Sequence, residues 1–381
     1  MKKFLFASDS FKGSLSSLKI AELLEREARQ QFPDCECISL PVADGGEGTL
    51  EALLYGKNGS LIQTEVCDPL GRNILASYAV FDGKQAFIEM AASSGLPLLT
   101  PEERNPLETS TYGTGQLIRD ALERGYRKIT IAIGGSATND GGMGAMRALG
   151  IRFLDKDENE LAGRGKDLLH VSRIDLTGLS PLAGDAEFTV MCDVKNPLTG
   201  ENGASYTFGR QKGGTEEMLA LLECGMKRYE ALLKTIFGEN ACNTAGAGAA
   251  GGLGAALSVF LGAEMKPGIE AVLELLEFDR RLEGVDLVVT GEGRIDWQSS
   301  YGKVPSGIGE HCKRKGVPAI AIVGGMGEGA EEIYKHGICS IIPVINGAME
   351  EEEAIRRAVE LYSGAAERMF RLLKAGMNMG E

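Results

Sequence analysis

The chain has 381 residues, of which 43% are apolar and 25% are charged, so it is long enough for two domains with hydrophobic cores. Its formal net charge of −14, from 40 Lys and Arg against 54 Asp and Glu, argues against nucleic-acid binding, which usually needs a basic surface. Any anionic ligand must therefore be held by local donors.

The cysteine and histidine content excludes several classes of site. The eight cysteines form neither a Cys-x-x-Cys pair nor a dense disulfide scaffold, which is typical of reduced thiols. The three histidines, at positions 170, 311 and 336, make His-type metal sites and Ser-His-Asp triads improbable. The first apolar run is too short for a secretory signal, and no apolar stretch approaches the length of a membrane span. We expect a cytoplasmic protein without a membrane partner.

Strand-like and helical patterns alternate at both ends of the chain. Residues 4–8 form an apolar run, and apolar residues at helical spacing follow between positions 15 and 28. The same unit repeats from 36–42, and further strands are predicted at 286–290, 319–323 and 340–345, separated by helical stretches. This alternation predicts a doubly wound parallel sheet, whose ligands lie beyond the carboxyl ends of the strands. We expect Asp9, Asp44 and Glu292 at that edge.

The middle of the chain has a different pattern. Alternating segments at 73–81 and 85–90 predict a hairpin around Asp82-Gly83, and a helix at 115–124 precedes a strand at 128–133. These features predict a mixed α/β domain at 76–281, inserted into a discontinuous α/β domain formed by 1–75 and 282–381. Near the C-terminus, residues 349–373 predict one long amphipathic helix.

Seven glycine-rich loops also contain Asp, Lys, Ser, Thr or Asn. They are DSFKGS (9–14), ADGGEGT (43–49), GGSATNDGGMG (134–144), CDVKNPLTG (192–200), FGRQKGG (208–214), AGAGAAGG (245–252) and GEGRIDWQSSYGK (291–303). Several lie between a predicted strand and a helix, where glycine lets backbone N–H groups converge on an anion. Such loops are typical of phosphate binding, although any one of them is also compatible with a simple tight turn.

Familiar nucleotide motifs are missing. The sequence has no GxxxxGK[ST] P-loop and no HRD or DFG set, so the P-loop and protein-kinase folds are excluded. Residues 246–251 match GxGxxG, but a helical pattern rather than a strand precedes them, so the dinucleotide fingerprint lacks its structural context. We interpret this stretch as helix packing or a close backbone approach.

The loops nevertheless supply what phosphoryl transfer needs, namely cations for phosphate oxygens and carboxylates for Mg²⁺ or the attacking hydroxyl. The candidate cations are Lys12, Lys212, Arg294 and Lys303, and the candidate carboxylates are Asp9, Asp44, Asp140, Asp193, Glu292 and Asp296. The alternative is that they are solvated loop charges. Thr138 and Asn139 would either cap the helix that begins near Gly142 or contact a nucleotide.

At these residues the sequence resembles the class I glycerate kinases, which phosphorylate D-glycerate with ATP. The resemblance covers essentially the whole chain through DSFKGSL, ADGGEGT, IGGSATNDGG, QKG, GAGAAGG and GEGR followed by D-x-QS and GK, in this order. Arg210 and Ala245 stand where the family often has Pro, which affects loop stiffness more than chemistry. The resemblance implies a flavodoxin-like domain and a second, unlike α/β domain with the active site in the cleft between them. It also implies Mg·ATP as phosphoryl donor and phosphoglycerate, most often the 2-phospho isomer, as product.

Residue roles follow from combining the loops with this resemblance. Lys12 and Arg294 are expected to meet the substrate carboxylate or the transferring phosphoryl group, and Asp193 or Asp296 to orient the attacking hydroxyl. The further expectations are substrate binding by Asp9, Ser10, Asp44, Gly45, Gln298 and Lys303, nucleotide binding by Gly135, Ser136, Thr138, Asn139 and Lys212, and Mg²⁺ binding by Asp193, Glu292 and Asp296. D-glycerate and ATP are the expected partners of a monomer or homodimer.

Two other classes of function remain open from the sequence. An NAD-dependent oxidoreductase would use GxGxxG, but it would need that motif in a first strand-glycine-helix unit with an acidic residue about twenty positions further on. A non-catalytic binder of small anions would need few carboxylates in its site, because carboxylates repel the ligand unless a metal intervenes. The surplus of Asp in the loops favours the kinase.

Overall fold

The N-terminal part of the chain contains two strand-loop-helix units. The computed structural model describes residues 1–45, 48–300 and 302–378, without the side chains of Gln298 and Ser300. The first elements are β1 Lys3–Phe6, α1 Ser17–Gln31, β2 Glu36–Ser39 and α2 Thr49–Lys57. Helix α1 begins after Ser16, whose hydroxyl accepts the Lys19 N–H at 3.2 Å. This N-cap satisfies one of the backbone donors that every helix leaves unpaired at its start.

The middle of the chain contains eight strands and seven helices within the described residues. The strands are β3 Ser60–Cys67, β4 Asn73–Phe81, β5 Gln85–Glu89, β6 Lys128–Ala132, β7 Arg152–Leu154, β8 Arg173–Asp175, β9 Glu187–Met191 and β10 Glu264–Lys266. The helices are α3 Ala91–Ser94, α4 Tyr112–Glu123, α5 Met143–Ala148, α6 Pro181–Gly184, α7 Ala204–Phe208, α8 Glu216–Phe237 and α9 Leu253–Leu261. The predicted hairpin is confirmed: β4 and β5 pair antiparallel across Asp82 and Gly83, both with positive φ.

The C-terminal part returns to the alternating pattern. Its helices are α10 Gly268–Leu275, α11 Phe278–Arg281, α12 Val304–Lys315, α13 Glu351–Arg356 and α14 Ala358–Asn378, and its strands are β11 Leu287–Thr290, β12 Arg294–Ile295, β13 Ala319–Val323, β14 Gly325–Met326 and β15 Ile338–Pro343. The single long helix predicted at 349–373 is wrong, because the helix breaks at Arg357, whose backbone (φ −98°, ψ 13°) leaves helical geometry.

Two sheets organise these elements. The first has the order β15-β13-β11-β1-β2, and all its strand pairs are parallel. Each of its five strands lies at a position that the apolar runs predict, so the prediction of an α/β fold with a doubly wound parallel sheet is confirmed. The second sheet has the order β10-β9-β6-β5-β4-β3; its pairs are parallel from β5 to β10 and antiparallel from β3 to β5.

The chain divides into two units, one formed by Met1–Asn58 with Pro267–Glu381 and one by Gly59–Lys266. Each has its own hydrophobic core. The boundaries predicted from the sequence, 75/76 and 281/282, lie further along the chain. Strand β3 belongs to the second unit because it pairs with β4 from Ser60 to Cys67. Helices α10 and α11 belong to the first, where Leu276 packs on Gly56 and Arg281 donates to the Gly56 carbonyl.

Among the described helices, none is long and apolar enough to cross a membrane.

Candidate active site

The loops that follow β1 and β11 are joined at the carboxyl edge of the five-stranded sheet. The Asp9 N–H donates to the Gly291 carbonyl at 2.9 Å, continuing the pairing of these two neighbouring strands. Gly291 permits this course, because a Cβ there would lie 1.9 Å from the Ile322 carbonyl oxygen of β13. The edge therefore holds Asp9 and Glu292 close to each other, as parallel strands predict.

Three carboxylates act on one another at this edge. Burial and, to a smaller extent, the charge of Asp44 together raise the pKa of Asp9 to about 6, while the Ser10 N–H, which Asp9 Oδ1 accepts at 2.7 Å, opposes the rise. Burial likewise raises the pKa of Glu292 to about 7, with Asp9 and Asp44 adding to the effect. Mutual repulsion in a poorly solvated place is typical of sites that receive a proton, a metal ion or a cationic group.

Glu292 has the least satisfied carboxylate of this group. Its side chain is 6% exposed, and within the described part of the chain Oε1 has no hydrogen-bond partner. The Ser299 hydroxyl and the charge of Lys303 lower its pKa and so oppose the effect of burial. Lys303 Nζ lies 3.8 Å from Oε2, and Lys303 directly precedes α12. Glu292 therefore has a buried oxygen available for a ligand.

The other predicted residues of the first unit lie on the loops around these carboxylates. Lys12 is exposed in the turn after Asp9, and Gly45 has a positive φ of 95° with its N–H donating to Thr49 Oγ1 at 3.1 Å. Arg294 is 72% exposed on β12, and its Nε lies 3.9 Å from Asp296 Oδ2. The predicted loop 43–49 includes residues 46 and 47, which lie outside the described residues, as does the side chain of Gln298.

In the second unit, the loop 134–144 follows β6 and is tightly held. The Leu96 N–H donates to the Gly135 carbonyl at 2.9 Å, and the Ala137 N–H donates to the Ser94 carbonyl at 2.9 Å. The Thr109 hydroxyl donates to the Ala137 carbonyl at 3.0 Å. Gly135 adopts a φ of 73°, which favours glycine. The segments at 94–96 and 109–111 thus fix the backbone of this loop.

Asp140 is a structural carboxylate. It is fully buried, and Oδ2 accepts hydrogen bonds from the Thr111 N–H (2.7 Å), the Thr111 hydroxyl (2.8 Å) and the Gly144 N–H (3.2 Å). Oδ1 accepts the Gly142 N–H at 3.0 Å. Burial raises the pKa of Asp140, while these bonds oppose the rise. Asp140, and not Thr138 or Asn139, therefore satisfies the donors at the start of α5.

Thr138 and Asn139 do not cap that helix. Both are fully buried, and Thr138 Oγ1 and Asn139 Oδ1 have no hydrogen-bond partner among the residues that the structure describes. Asn139 Nδ2 donates to Ser205 Oγ at 3.3 Å. Buried polar atoms without partners are rare in proteins, and each calls for a water or a ligand. Nucleotide contact by these two residues stays a prediction.

Lys212 supports the loop from within the protein. Its side chain is 1% exposed, and Nζ donates to the Thr138 carbonyl at 2.7 Å. Burial lowers the pKa of Lys212 to about 7, and the charge of Asp140 opposes that effect. The Lys212 ammonium group therefore binds the backbone of the loop. If Lys212 contributes to nucleotide binding, it does so by fixing the position of Thr138.

The GAGAAGG stretch makes a close backbone approach, as the sequence predicts. Gly251 has a φ of 68°, and a Cβ there would lie 2.1 Å from the Thr138 carbonyl oxygen. Residues 239–248 form turns rather than a strand, so GxGxxG lacks the strand that dinucleotide binding requires. The motif serves to pack α9 against the loop 134–144.

The predicted metal ligands come from both units. Asp193 is exposed in the loop that follows β9, whereas Glu292 and Asp296 belong to the first unit. Across 1–45, 48–300 and 302–378, no three His, Cys, Asp or Glu side chains are grouped so as to hold a metal ion. A Mg²⁺ bound with a nucleotide needs only one or two carboxylates, since phosphate oxygens and waters complete its six ligands. The assignment of these ligands stays a prediction.

Thr109 and Thr111, which hold the loop 134–144 in place, were not identified from the sequence. Thr111 contributes two of the hydrogen bonds to Asp140, and Thr109 holds the Ala137 carbonyl. A signal was present in the run TSTYGTG, because a cluster of Ser and Thr before a helix often bonds to nearby backbone and side chains. Its partners, thirty residues away, were not visible in the sequence.

Comparison with known proteins identifies the family. The model of the glycerate kinase family matches residues 4–374. The chain is 44% identical to glycerate 2-kinase of Escherichia coli K12 over 98% of its length and 99% of that protein, and 43% identical to glycerate kinase of Bacillus subtilis 168 over 99% of both. A crystal structure of a protein assigned as glycerate kinase 2 from Salmonella typhimurium LT2 superposes with a TM-score of 0.89 at 43% identity, covering 99% of both chains. The resemblance seen in the motifs is confirmed, and the chain belongs to the glycerate kinase family.

Proposed function

We propose that this protein transfers the γ-phosphoryl group of ATP to a hydroxyl of D-glycerate, giving 2-phosphoglycerate, with Mg²⁺. The observation that carries the proposal is the near-full-length similarity to glycerate kinases, which includes both units and their glycine loops. The proposal includes action in the cytoplasm, as a monomer or homodimer, on small-molecule substrates.

The edge of the five-stranded sheet supplies groups for the acceptor substrate. Lys12, Arg294 and Lys303 provide positive charge for the glycerate carboxylate and the transferring phosphoryl group, while Asp9, Ser10, Asp44, Gly45 and Gln298 contact the substrate. Charge-assisted hydrogen bonds of this kind are shorter and stronger than those between neutral groups. These residues lie on loops at the carboxyl ends of parallel strands, and ligands of doubly wound sheets bind at that edge.

The carboxylates also determine how a metal would fit. ATP beside Asp9, Asp44 and Glu292 would be repelled, and Oε1 of Glu292, which has no partner in the described structure, is a suitable oxygen ligand for Mg²⁺. We assign Glu292, Asp296 and Asp193 as the residues that would hold it. When bound, the ion would neutralise charge on the phosphate oxygens.

Orientation of the attacking hydroxyl is assigned to Asp193 or Asp296. Asp296 lies in the first unit, where the side chain of Arg294 is close to its carboxylate and Gly327 packs against its Cβ. A carboxylate placed against the hydroxyl positions it and accepts its proton as the new bond to phosphorus forms. The nucleotide is assigned to Gly135, Ser136, Thr138 and Asn139, with Lys212 fixing the Thr138 carbonyl.

One experiment tests the proposal directly. The protein is incubated with Mg·ATP and D-glycerate, and the product is identified by phosphorus NMR against authentic 2- and 3-phosphoglycerate. We expect ADP and 2-phosphoglycerate in equal amounts, and no ADP when either D-glycerate is omitted or EDTA is in excess. Turnover that persists in EDTA contradicts the role of Mg²⁺, and a 3-phosphoglycerate signal contradicts the assignment of the hydroxyl.

A further inference from the structure

Arg104 carries a partly buried guanidinium group that makes no hydrogen bond and no close ion pair within the described residues. It follows the 3-10 helix Pro101–Glu103, and its Nε is buried without a hydrogen-bond partner in the described part of the chain. Its backbone N–H donates to the Pro101 carbonyl, but within the described residues its guanidinium has neither an ion pair nor a hydrogen bond. The pKa of the exposed Glu102 carboxylate is lowered first by its own N–H and by Thr100, and to a smaller extent by the charge of Arg104, so Glu102 acts on Arg104 only as an exposed neighbouring charge.

The other partly buried arginines of the same unit all make hydrogen bonds through the guanidinium group, although Nε of Arg147 itself has no partner within the described residues. They are Arg119, which donates to the Ala148 carbonyl, Arg127, which donates to the carbonyls of Leu122 and Tyr126, Arg147, which binds the Ala162 carbonyl and Glu160, and Arg164, which binds Glu108. A charge removed from water without a partner is unfavourable, so a partly buried, unpaired guanidinium points to an anion from outside the chain.

Arg104 lies beside the turn that supports the candidate nucleotide loop. A Cβ added to Gly213 would lie 2.2 Å from the Arg104 carbonyl oxygen and 2.8 Å from its Cβ, so the two segments are in direct contact. The preceding residue, Lys212, donates to the Thr138 carbonyl at 2.7 Å. The turn at 212–213 therefore contacts both Arg104 and the loop 134–144, in which Thr138 Oγ1 and Asn139 Oδ1 have no partner among the described residues.

We propose that Arg104 binds the phosphate groups of the nucleotide held by the loop 134–144. This inference rests on the proposed kinase function. A guanidinium offers two parallel N–H donors that match two phosphate oxygens, and it stays protonated at any pH at which the protein is folded. In a chain with a net charge of −14, such a local cation is needed to hold a polyanion. Glycerate also carries an oxyanion, but the contacts of Arg104 lead to the loop 134–144 in the second unit, whereas the assigned glycerate residues belong to the first.

The test compares Arg104→Gln with Arg210→Gln by calorimetric titration. Arg210 is a matched control because it lies two residues before Lys212 but is exposed and paired with Glu216 at 2.8 Å. We expect Arg104→Gln to weaken Mg·ATP and tripolyphosphate binding by on the order of 10- to 100-fold, as loss of a charged hydrogen bond predicts. Binding of adenosine and D-glycerate should stay within about twofold of the wild type, and Arg104→Lys should recover part of the loss.

Thermal unfolding separates a binding role from a structural one. Because Arg104 is unpaired in the free protein, Arg104→Gln should leave the Tm without ligand unchanged or higher, and should reduce the rise that Mg·ATP causes. A lower Tm without ligand, or an equal loss of adenosine affinity, would overturn the proposal in favour of a structural role. Selective loss of D-glycerate binding would instead assign the anion to the acceptor substrate.

The failure of this inference can be distinguished from failure of the proposed function. If the wild type binds Mg·ATP and Arg104→Gln binds it within about threefold, Arg104 does not contact the phosphates while the kinase function stands. If the wild type itself binds no Mg·ATP, both are wrong.

Discussion

The two candidate regions use acidic residues in opposite ways. In the second unit, Asp140 is fully buried and accepts hydrogen bonds from Thr111, Gly142 and Gly144. In the first unit, Glu292 is nearly as buried, yet Oε1 has no partner among the described residues, and burial, with a smaller contribution from the charges of Asp9 and Asp44, raises its pKa. A carboxylate whose two oxygens both accept hydrogen bonds stabilises a loop, whereas a buried carboxylate with one oxygen unpartnered in the described structure is the one we expect to bind a ligand. The difference lies in what surrounds each group, since both follow a glycine-rich sequence.

The largest expected effect is a loss of stability in the variant Asp140→Asn. The amide nitrogen would face N–H donors that now bind the carboxylate, so buried groups would be left unpaired. We expect the free energy of unfolding to fall by about 3–5 kcal/mol, the range for breaking a buried charged network. Urea unfolding followed by circular dichroism measures the change. The exposed Asp193→Asn is the control and should differ from the wild type by less than about 1 kcal/mol; a similar value for Asp140→Asn contradicts the structural role.

The second prediction concerns catalysis rather than stability. Asp193→Asn and Asp296→Asn should each lower kcat by on the order of a hundredfold or more, the scale of losing a general base or a metal ligand. Because neither side chain is buried, the Tm should hardly change. Steady-state assays at saturating substrates measure kcat. Near-normal kcat in both folded variants would redirect attention to Asp44 and Glu292.

The third prediction follows from the pKa of Glu292, which is about 7 in the folded protein against 4.5 for the ordinary group. Between these two values the folded state binds more protons than the unfolded state, so the stability of the ligand-free protein falls as the pH rises from 4.5 to 7. Glu292→Gln removes this term. In EDTA, the variant should be more stable than the wild type by about 3 kcal/mol at pH 8 and nearly equal to it at pH 4.5. An equal difference at both pH values would show that Glu292 does not titrate in this window.

Part of this arrangement was predictable from the sequence. Apolar runs followed by glycine loops located all five strands of the parallel sheet, and strand order then brings Asp9 and Glu292 to one edge. These features are local, because a strand and its following loop are neighbours in the chain. The break at Arg357 and the domain boundaries depend instead on which elements pack together.

The roles of individual charges were harder to predict, for the same reason. In the sequence, Lys212 and Asp140 are compatible with exposed loop charges, but the structure buries both. Lys212 bonds to Thr138, 74 positions away, and Asp140 accepts from Thr111, 29 positions away. Arg104 is not in a glycine loop at all, and only the absence of a partner in the described structure draws attention to it. Composition predicts which loops bind anions, whereas the burial and pairing of each side chain indicate which of them we expect to contact the ligand.

The smallest expected effect belongs to Lys12, which is exposed and lies on the rim of the Asp9 loop. Its charge lowers the pKa of Asp9, after the larger effects of burial, Asp44 and the Ser10 N–H. Lys12→Ala should lower kcat/KM for D-glycerate by about tenfold, because an exposed cation in water contributes one screened charge-assisted contact. The matched control is Lys19→Ala, an exposed lysine of α1 that pairs with Glu22 at 2.9 Å, and it should leave kcat/KM unchanged. Higher salt should weaken the wild type more than Lys12→Ala, so that the two values of kcat/KM converge. If they stay apart at all salt concentrations, Lys12 acts on the loop structure and not on the substrate charge.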